Sequence, residues 1–274
     1  MSFLGHHVYG LPAASWINDA QSFGSYHHAL TESPSFGPAL YKAGRTVVDA
    51  FMHLMLDVDV EWQAPMPEGP KILAPNHPTT TDPFYILTLL SEPVSVLVTG
   101  SAFSVRGFGS YLWAAGHVPA IRGSGGATVD AVVEQVEDGR NVAIFPEGAL
   151  SPLAGGFCRA HSGLARVALR TGAPVIPVGI GLQRERIRVV DANLEGGTET
   201  AHLYTSGKYA MTVGRPMYLE GDVADRERVH AATEQVMQEI RALSLASEQR
   251  VAQRLEAEAQ SVPAWPFYGL PMWA

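Results

Sequence analysis

The sequence predicts an α/β fold with a central, mostly parallel or mixed sheet flanked by helices. Two observations favour this class: short apolar runs with the length of buried strands recur along the chain, and segments of helical periodicity separate them. With 274 residues, 46% hydrophobic and 17% charged, the chain can bury a substantial core. We expect one domain at residues 38–245, an irregular arm at 1–37, and a helical end with an aromatic tail at 246–274.

The first half of the predicted domain alternates between helix and strand. Apolar residues at three-to-four spacing predict a helix over residues 38–56 with one buried face. Apolar runs at 72–74 and 94–99 predict strands. The helix between these strands is predicted to begin at Asp82, because Pro83 follows it and proline is favoured in the first helical turn.

The second half continues the same alternation. Residues 127–137 and 162–170 are predicted helices, and residues 141–145 and 175–180 are predicted buried strands. The polar, glycine-broken stretch 181–207 is predicted as loop with one short strand, and a later strand and turn follow at 209–217. A long helical zone is expected over 222–259, with a break near 244–247.

Composition excludes several classes of protein. The formal net charge of −8 argues against nucleic acid as a partner, because phosphate binding requires a basic surface. The single cysteine, Cys158, excludes an internal disulfide and a cysteine-rich metal site, and no cofactor or metal is expected. The sequence shows no secretory signal and no apolar run of the ~18 residues that a bilayer span needs. We expect a cytoplasmic protein, soluble or at the inner face of the membrane.

His77 and Asp82 form the first candidate site. His77 follows the predicted strand at 72–74, and Asp82 begins the next helix, so a turn could bring the carboxylate against one imidazole nitrogen. The other nitrogen would then accept a proton from a hydroxyl, as in a Ser-His-Asp triad whose hydroxyl comes from the substrate. The alternative is that Asp82 only caps its helix and His77 is an ordinary loop histidine.

Residues 76–84, Asn-His-Pro-Thr-Thr-Thr-Asp-Pro-Phe, resemble the first motif of the glycerolipid acyltransferases, the superfamily of lysophosphatidic acid and glycerol-3-phosphate acyltransferases. Residues 116–122 resemble a second family motif that ends in arginine. Residues 145–151, Phe-Pro-Glu-Gly-Ala-Leu-Ser, resemble the third, and residues 175–180 the fourth. The resemblance implies an acyltransferase domain in which His77 and Asp82 are catalytic and the substrate is bound by Arg122, Phe145, Pro146, Glu147 and Gly148.

Leu150 is the main departure from the family pattern. The resemblance implies an arginine at this position that helps to hold the phosphate of the acceptor, and leucine cannot replace a charge-assisted contact. Arg159 or His161, shortly downstream, could compensate. The sequence therefore leaves open whether the acceptor carries a phosphate.

The resemblance implies transfer of a fatty acyl group from a thioester, on coenzyme A or acyl carrier protein, to a hydroxyl of a glycerolipid-like or other polyol acceptor. This reaction belongs to phospholipid biosynthesis. Two alternatives remain: a hydrolase that uses the same His–Asp pair on acyl thioesters, and a non-catalytic protein that binds lipid or a partner. The basic residues Arg184, Arg186 and Arg188 could contact an anionic donor, although a solvated face is the simpler interpretation.

The termini carry two further expectations. The tail at 262–274 contains two Trp, one Phe and one Tyr, a composition that predicts docking. Packing on the protein's own body or on a second subunit is favoured, which would make a homo-oligomer through the aromatic termini. Peripheral contact with a membrane through Trp and Tyr is the alternative.

Overall fold

The computed structural model describes residues 37–121, 123–194 and 197–261 of the chain. The predicted arm up to residue 36, Arg122 and the aromatic tail from residue 262 lie outside the described residues. The predicted domain boundaries and the docking of the tail therefore stay predictions. Among the helices of the described residues, none combines the length and the apolar character that a bilayer span requires.

Seven strands of the described residues form one sheet in the order β1-β9-β6-β2-β5-β3-β4. All neighbours in it are parallel except β6 and β9, so the predicted α/β fold with a mixed, mostly parallel sheet is confirmed. Its strands are β1 (Leu56–Trp62), β2 (Ile72–Pro75), β3 (Val94–Thr99), β4 (Val118–Ala120), β5 (Asn141–Ala143), β6 (Val175–Leu182) and β9 (Gly207–Val213). Between β6 and β9 the chain forms a separate antiparallel hairpin of β7 (Arg188–Leu194) and β8 (Gly197–Leu203).

Helices cover both faces of the sheet. They are α1 (Gly37–Met55), α2 (Asp82–Ile86), α3 (Phe108–Ala114), α4 (Gly125–Glu137), α5 (Gly163–Thr171) and α6 (Arg226–Ser261), with short 3₁₀ turns at Gly100–Ser104 and Arg184–Arg186. One apolar cluster joins α1 and α2 to one face, and a second joins α4, α5 and α6 to the other. Because helices cover both faces, the central strands β2 and β6 carry no polar side chain, and every residue of both is buried.

The predicted break near residues 244–247 is wrong, since α6 is continuous from Arg226 to Ser261. The two serines in this stretch are contact residues. The Ser244 hydroxyl donates to the carbonyl of Ile180 (3.1 Å), and the Ser247 hydroxyl donates to the carbonyl of Gly179 (2.8 Å). A Cβ at Gly179 would lie 2.0 Å from the α6 backbone, so small residues on both elements allow the helix to approach β6 closely.

Candidate active site

The candidate site lies at the carboxyl edge of the parallel strands. β2 leads directly into His77, and the neighbouring β5 leads into Phe145 and Glu147. β2 and β5 pair in register, Ile72 with Val142 and Leu73 with Ala143, so the two loops leave the same edge side by side. In open α/β sheets this edge is the usual location of ligand sites.

The turn after β2 brings His77 and Asp82 together. Nδ1 of His77 lies 3.3 Å from Oδ2 of Asp82, and the side chain of Asp82 is fully buried whereas that of His77 is 16% exposed. A neutral imidazole that donates Nδ1–H to this carboxylate carries a lone pair on Nε2. The His77 ring also packs on Phe145, with ring centroids 4.1 Å apart. The geometry is that of a general base oriented by a carboxylate.

Asp82 is held by three donors besides the imidazole. The backbone N–H of Thr79 donates to Oδ2 (2.6 Å), and the Thr79 hydroxyl donates to Oδ1 (2.6 Å). The hydroxyl of Tyr209, on β9, also donates to Oδ1 (2.9 Å). Burial, followed by the charge of Asp82, raises the pKa of Tyr209 well above its usual value, so this hydroxyl keeps its proton and remains a donor. The four contacts fix the carboxylate in one orientation.

Glu147 holds the two loops together. Its Oε1 accepts hydrogen bonds from the backbone N–H of His77 (3.1 Å) and from the Ser151 hydroxyl (2.7 Å), and its Oε2 accepts one from the backbone N–H of Cys158 (2.6 Å). The side chain is 1% exposed. These contacts with protein donors favour a positioning role for Glu147 over the predicted contact with substrate.

Asn76 is a second positioning residue that the sequence alone did not single out. Its Oδ1 accepts the backbone N–H of Ile180 (2.6 Å), and its Nδ2 donates to the carbonyl of Ile180 (3.1 Å) and to the Ser244 hydroxyl (3.2 Å). The side chain thus continues the pairing of β2 with β6 beyond the end of the strand. This anchors the residue that precedes His77.

The backbone N–H groups at the start of α2 are engaged within the protein. The Thr79 amide donates to Oδ2 of Asp82, and the Thr80 amide donates to the carbonyl of His202. The Asp82 amide donates to the carbonyl of Thr79, and the Phe84 amide donates to that of Thr81. An oxyanion hole built from these four groups would require those bonds to break. The turn therefore serves to hold the His–Asp pair.

A cavity of about 1510 Å³ opens in front of His77, and both faces of the sheet contribute to its wall. Side chains alternate along β3, so Val96 and Val98 belong to the apolar cluster of α1 and α2, and Leu97 packs against that of α4 and α5. We call the two parts of the wall the α2 side and the α4 side. The α2 side is mainly apolar and includes Phe84, Leu87, Val96, Val98, Phe108 and Leu112. The α4 side also carries polar residues, namely Thr128, Asp130, Ser162, Arg166 and Arg170.

The predicted substrate-binding residues divide into three groups. Phe145, Pro146 and Gly148 line the cavity, Glu147 lies behind its wall, and Arg122 lies outside the described residues. Two groups of basic residues were candidates for contact with anionic substrates, although a solvated face was the simpler interpretation of Arg184, Arg186 and Arg188. Of these, His161 lines the cavity with its ring against Gly148, whereas Arg159, Arg184, Arg186 and Arg188 do not contribute to its wall.

His117, the residue before β4, is a buried histidine in the cavity wall. Its Nδ1 accepts the backbone N–H of Val96 (3.1 Å), and burial lowers its pKa to about 4. Its pKa in the folded protein thus lies below the unfolded value of about 6.5. Between these pH values the unfolded chain binds more protons than the folded protein does. The contribution of neutral His117 to the free energy of unfolding is therefore complete above pH 6.5 and is lost as the pH falls towards 4.

We therefore expect His117→Asn to flatten the acid side of the stability profile. Asn Oδ1 can still accept the Val96 N–H but does not titrate near this pH. Between pH 7 and pH 5 the wild type should lose about 2 kcal/mol more unfolding free energy than the variant does. Urea unfolding at the two pH values measures both losses, and equal losses would contradict a neutral, buried His117.

Comparisons with known proteins agree with this architecture. Residues 57–181 match the family model described as Acyltransferase. Among solved structures, the chain is similar to the 1-acyl-sn-glycerophosphate (LPA) acyltransferase PlsC from Thermotoga maritima, with 20% sequence identity and a TM-score of 0.53. That alignment covers 80% of this chain and 88% of the other. No curated protein matches the sequence.

The fold and the family match define an acyltransferase domain, in which the matched residues 57–181 include both His77 and Glu147. The match covers the stretch that carries all four motifs by which the sequence resembles the glycerolipid acyltransferase superfamily, and it supports that prediction.

Proposed function

We propose that this protein transfers a fatty acyl group from an acyl thioester to a hydroxyl of a glycerolipid-like acceptor. The observation that carries the proposal is the pairing of His77 with buried Asp82, 3.3 Å apart, at the mouth of a large cavity with an apolar side. The similar protein from Thermotoga maritima is named for an acceptor of this kind. The donor is acyl-CoA or an acyl carrier protein that bears the acyl group as a thioester. The reaction would serve phospholipid biosynthesis.

The reaction follows from the orientation of the imidazole. Nε2 of His77 accepts the proton of the acceptor hydroxyl as the oxygen attacks the thioester carbonyl carbon. The new C–O bond forms, the C–S bond breaks, and the imidazolium returns its proton to the thiolate that leaves. Asp82 keeps the proton on Nδ1 and stabilises the imidazolium. No covalent acyl-enzyme is needed.

The α2 side of the cavity suits the acyl chain. Its wall consists of large apolar side chains, among them Phe84, Phe108 and Leu112, and it adjoins the turn that carries His77. Burying a methylene group contributes about 0.8 kcal/mol, so the binding free energy of an acyl chain in this part of the cavity would come mainly from its buried methylene groups and would increase with chain length. The thioester carbonyl would then lie near His77, and the acceptor would approach from the α4 side.

Incubation with acyl-CoA or acyl carrier protein bearing a labelled acyl group, together with a panel of hydroxyl acceptors, tests the proposal. We expect a labelled ester that forms only when an acceptor is present, together with one equivalent of thiol. Thiol release at the same rate without acceptor would identify a hydrolase instead. If no thiol is released with any donor or acceptor, the non-catalytic alternative is correct.

A further inference from the structure

We infer that the α2 side of the cavity binds an acyl chain that carries an oxygen substituent, a hydroxyl or a keto group, and that Nε2–H of His117 donates a hydrogen bond to this oxygen. The inference deepens the proposed function, because it names the class of acyl donor. It rests on that function for the assignment of the ligand as a donor chain, but its binding test needs no catalysis.

The proton of His117 lies on Nε2. The backbone N–H of Val96 donates to Nδ1 (3.1 Å), so Nδ1 carries the lone pair of the neutral ring. Burial lowers the pKa of His117 to about 4, which keeps the ring neutral at neutral pH. Nε2–H is therefore a hydrogen-bond donor, and a ligand that pairs with it must offer an acceptor such as an oxygen atom.

Nε2 of His117 has no hydrogen-bond partner among the described residues, and it opens into the cavity. The unpaired polar side-chain atoms of these residues that have almost no accessible surface are Nε of Arg45, the Thr128 hydroxyl and Nδ1 of His202. Nε2 of His117 is not one of these closed atoms, so part of the 2% of His117 that is exposed belongs to it. Because His117 lines the cavity wall, this surface faces the cavity.

The imidazole is held on the side of the cavity that suits an acyl chain. The rings of Tyr41, on α1, and Tyr111, on α3, flank it, with centroids 6.4 and 6.3 Å from that of the imidazole. Tyr41 belongs to the apolar cluster of α1 and α2, and Leu112, next to Tyr111, lines the α2 side of the cavity. Together with the Val96 contact, these neighbours fix the direction of Nε2–H.

The register of the sheet places His117 well away from the reacting atoms. Val96 pairs with Ala143, and Ala143 pairs with Leu73. His117, bonded to Val96, is therefore level with Leu73, four residues before His77 and three strands away from β2. From the rise and spacing of strands, this separation is roughly 13 Å along the strands and about 14 Å across them. An oxygen bound by His117 thus lies along the acyl chain, beyond the thioester carbonyl that reacts at His77.

Two kinds of acyl chain would affect this N–H differently. A saturated chain in this part of the cavity excludes water and leaves Nε2–H unpaired, which is costly for a buried donor. A hydroxyl or keto oxygen at the right carbon accepts the hydrogen bond instead. A site with a fixed donor rejects the analogue that lacks the acceptor, so His117 selects for the chain with the oxygen.

Isothermal titration calorimetry in a His77→Ala background measures the binding of donors without turnover. The probes are a saturated acyl-CoA and hydroxyacyl-CoAs of the same chain length that carry the hydroxyl at successive carbons. We expect the hydroxyacyl-CoA to bind about tenfold more tightly than the saturated one when the hydroxyl is at one carbon or at two adjacent carbons, the discrimination expected of one buried hydrogen bond. Equal affinity throughout the series would overturn the inference.

His117→Asn removes the donor at Nε2 but keeps an oxygen that accepts the Val96 N–H. The preference for the matching hydroxyacyl-CoA should fall to less than about twofold, because the hydrogen bond to the chain is lost. Leu112→Val is the matched control, since it enlarges the same side of the cavity without changing a polar atom, and it should leave the preference unchanged. A preference that persists in His117→Asn, or equal losses for the saturated and hydroxylated chains in that variant, would overturn the role of His117.

Kinetics with His77 intact connects the site to the reaction. The kcat/KM for the donor should show the same preference at the same carbon, whereas a hydroxyl on the acyl chain of a lysolipid acceptor should have no such effect. A preference confined to the acceptor chain would overturn the assignment to the donor. If no thioester reacts but the matching hydroxyacyl-CoA still binds through His117, the proposed function fails while the binding site for an oxygen-bearing acyl chain stands.

Discussion

Replacing His77 with alanine is expected to lower kcat by about 10²–10⁴-fold, the contribution typical of a general base. The alanine variant has no group to accept the proton of the attacking hydroxyl. The fold should survive, because the hydrogen bond to Glu147 comes from the backbone N–H of residue 77 and does not depend on its side chain. Initial rates of labelled ester formation, with circular dichroism of both proteins, measure the two effects.

His161→Ala is the control for this experiment. His161 lines the same cavity and is exposed, but it has no carboxylate partner among the described residues. The change removes an equal side chain from the same cavity, so its kcat should stay within about tenfold of the wild type, below the range for a lost general base. Near-normal turnover in the His77 variant, or equal losses in both variants, would defeat the assignment of His77 as the base.

The sequence predicted the contact between His77 and Asp82 because all the information for that pair is local. His77 and Asp82 belong to one turn, and β2 before it is an unambiguous buried strand. The place of Glu147 was equally visible, since it follows another buried strand. Its role was not visible: only the folded structure shows that donors from three separate positions occupy its carboxylate.

Tyr209 could not be found from the sequence, because its partner Asp82 lies 127 residues away and β9 carries no motif. The position of Arg166 in the cavity wall is likewise a result of packing. The contact between Tyr209 and Asp82 depends on the strand order, in which β9 joins the sheet beside β6 after the β7–β8 hairpin. Short-range periodicity contains no information about that order.

β1 was missed for a different reason. Residues 56–62, Leu-Asp-Val-Asp-Val-Glu-Trp, alternate apolar and acidic side chains as a strand does, but they follow a helix whose apolar spacing runs into Leu56. The acidic residues find their partners on α6, where Arg250 pairs with Asp59 and Glu61, and Arg254 pairs with Asp57. These ion pairs join the edge strand to a helix that follows almost 200 residues later in the sequence, and no local sequence pattern predicts them.

Asp82→Asn should separate the orientation of the base from the binding of substrates. The carboxylate is surrounded by donors only, from His77, Thr79 and Tyr209. An asparagine places its own N–H₂ against one set of these donors, and it can hold the imidazole in the wrong tautomer. We expect kcat to fall by about 10²–10⁴-fold while KM stays within a few-fold, and the unfolding free energy to fall by about 2–4 kcal/mol.

Tyr209→Phe distinguishes lost orientation from general damage at this carboxylate. It removes one donor from Asp82 but keeps both the negative charge and the buried ring. Because Thr79 still orients the carboxylate through two hydrogen bonds, kcat should fall less than about tenfold. Steady-state kinetics and urea unfolding of the two variants give the comparison. If Asp82→Asn changes KM alone, the carboxylate contributes to substrate affinity and does not orient His77. If Tyr209→Phe loses as much turnover as Asp82→Asn, the charge of Asp82 is not what the imidazole needs, because that charge is still present in the phenylalanine variant.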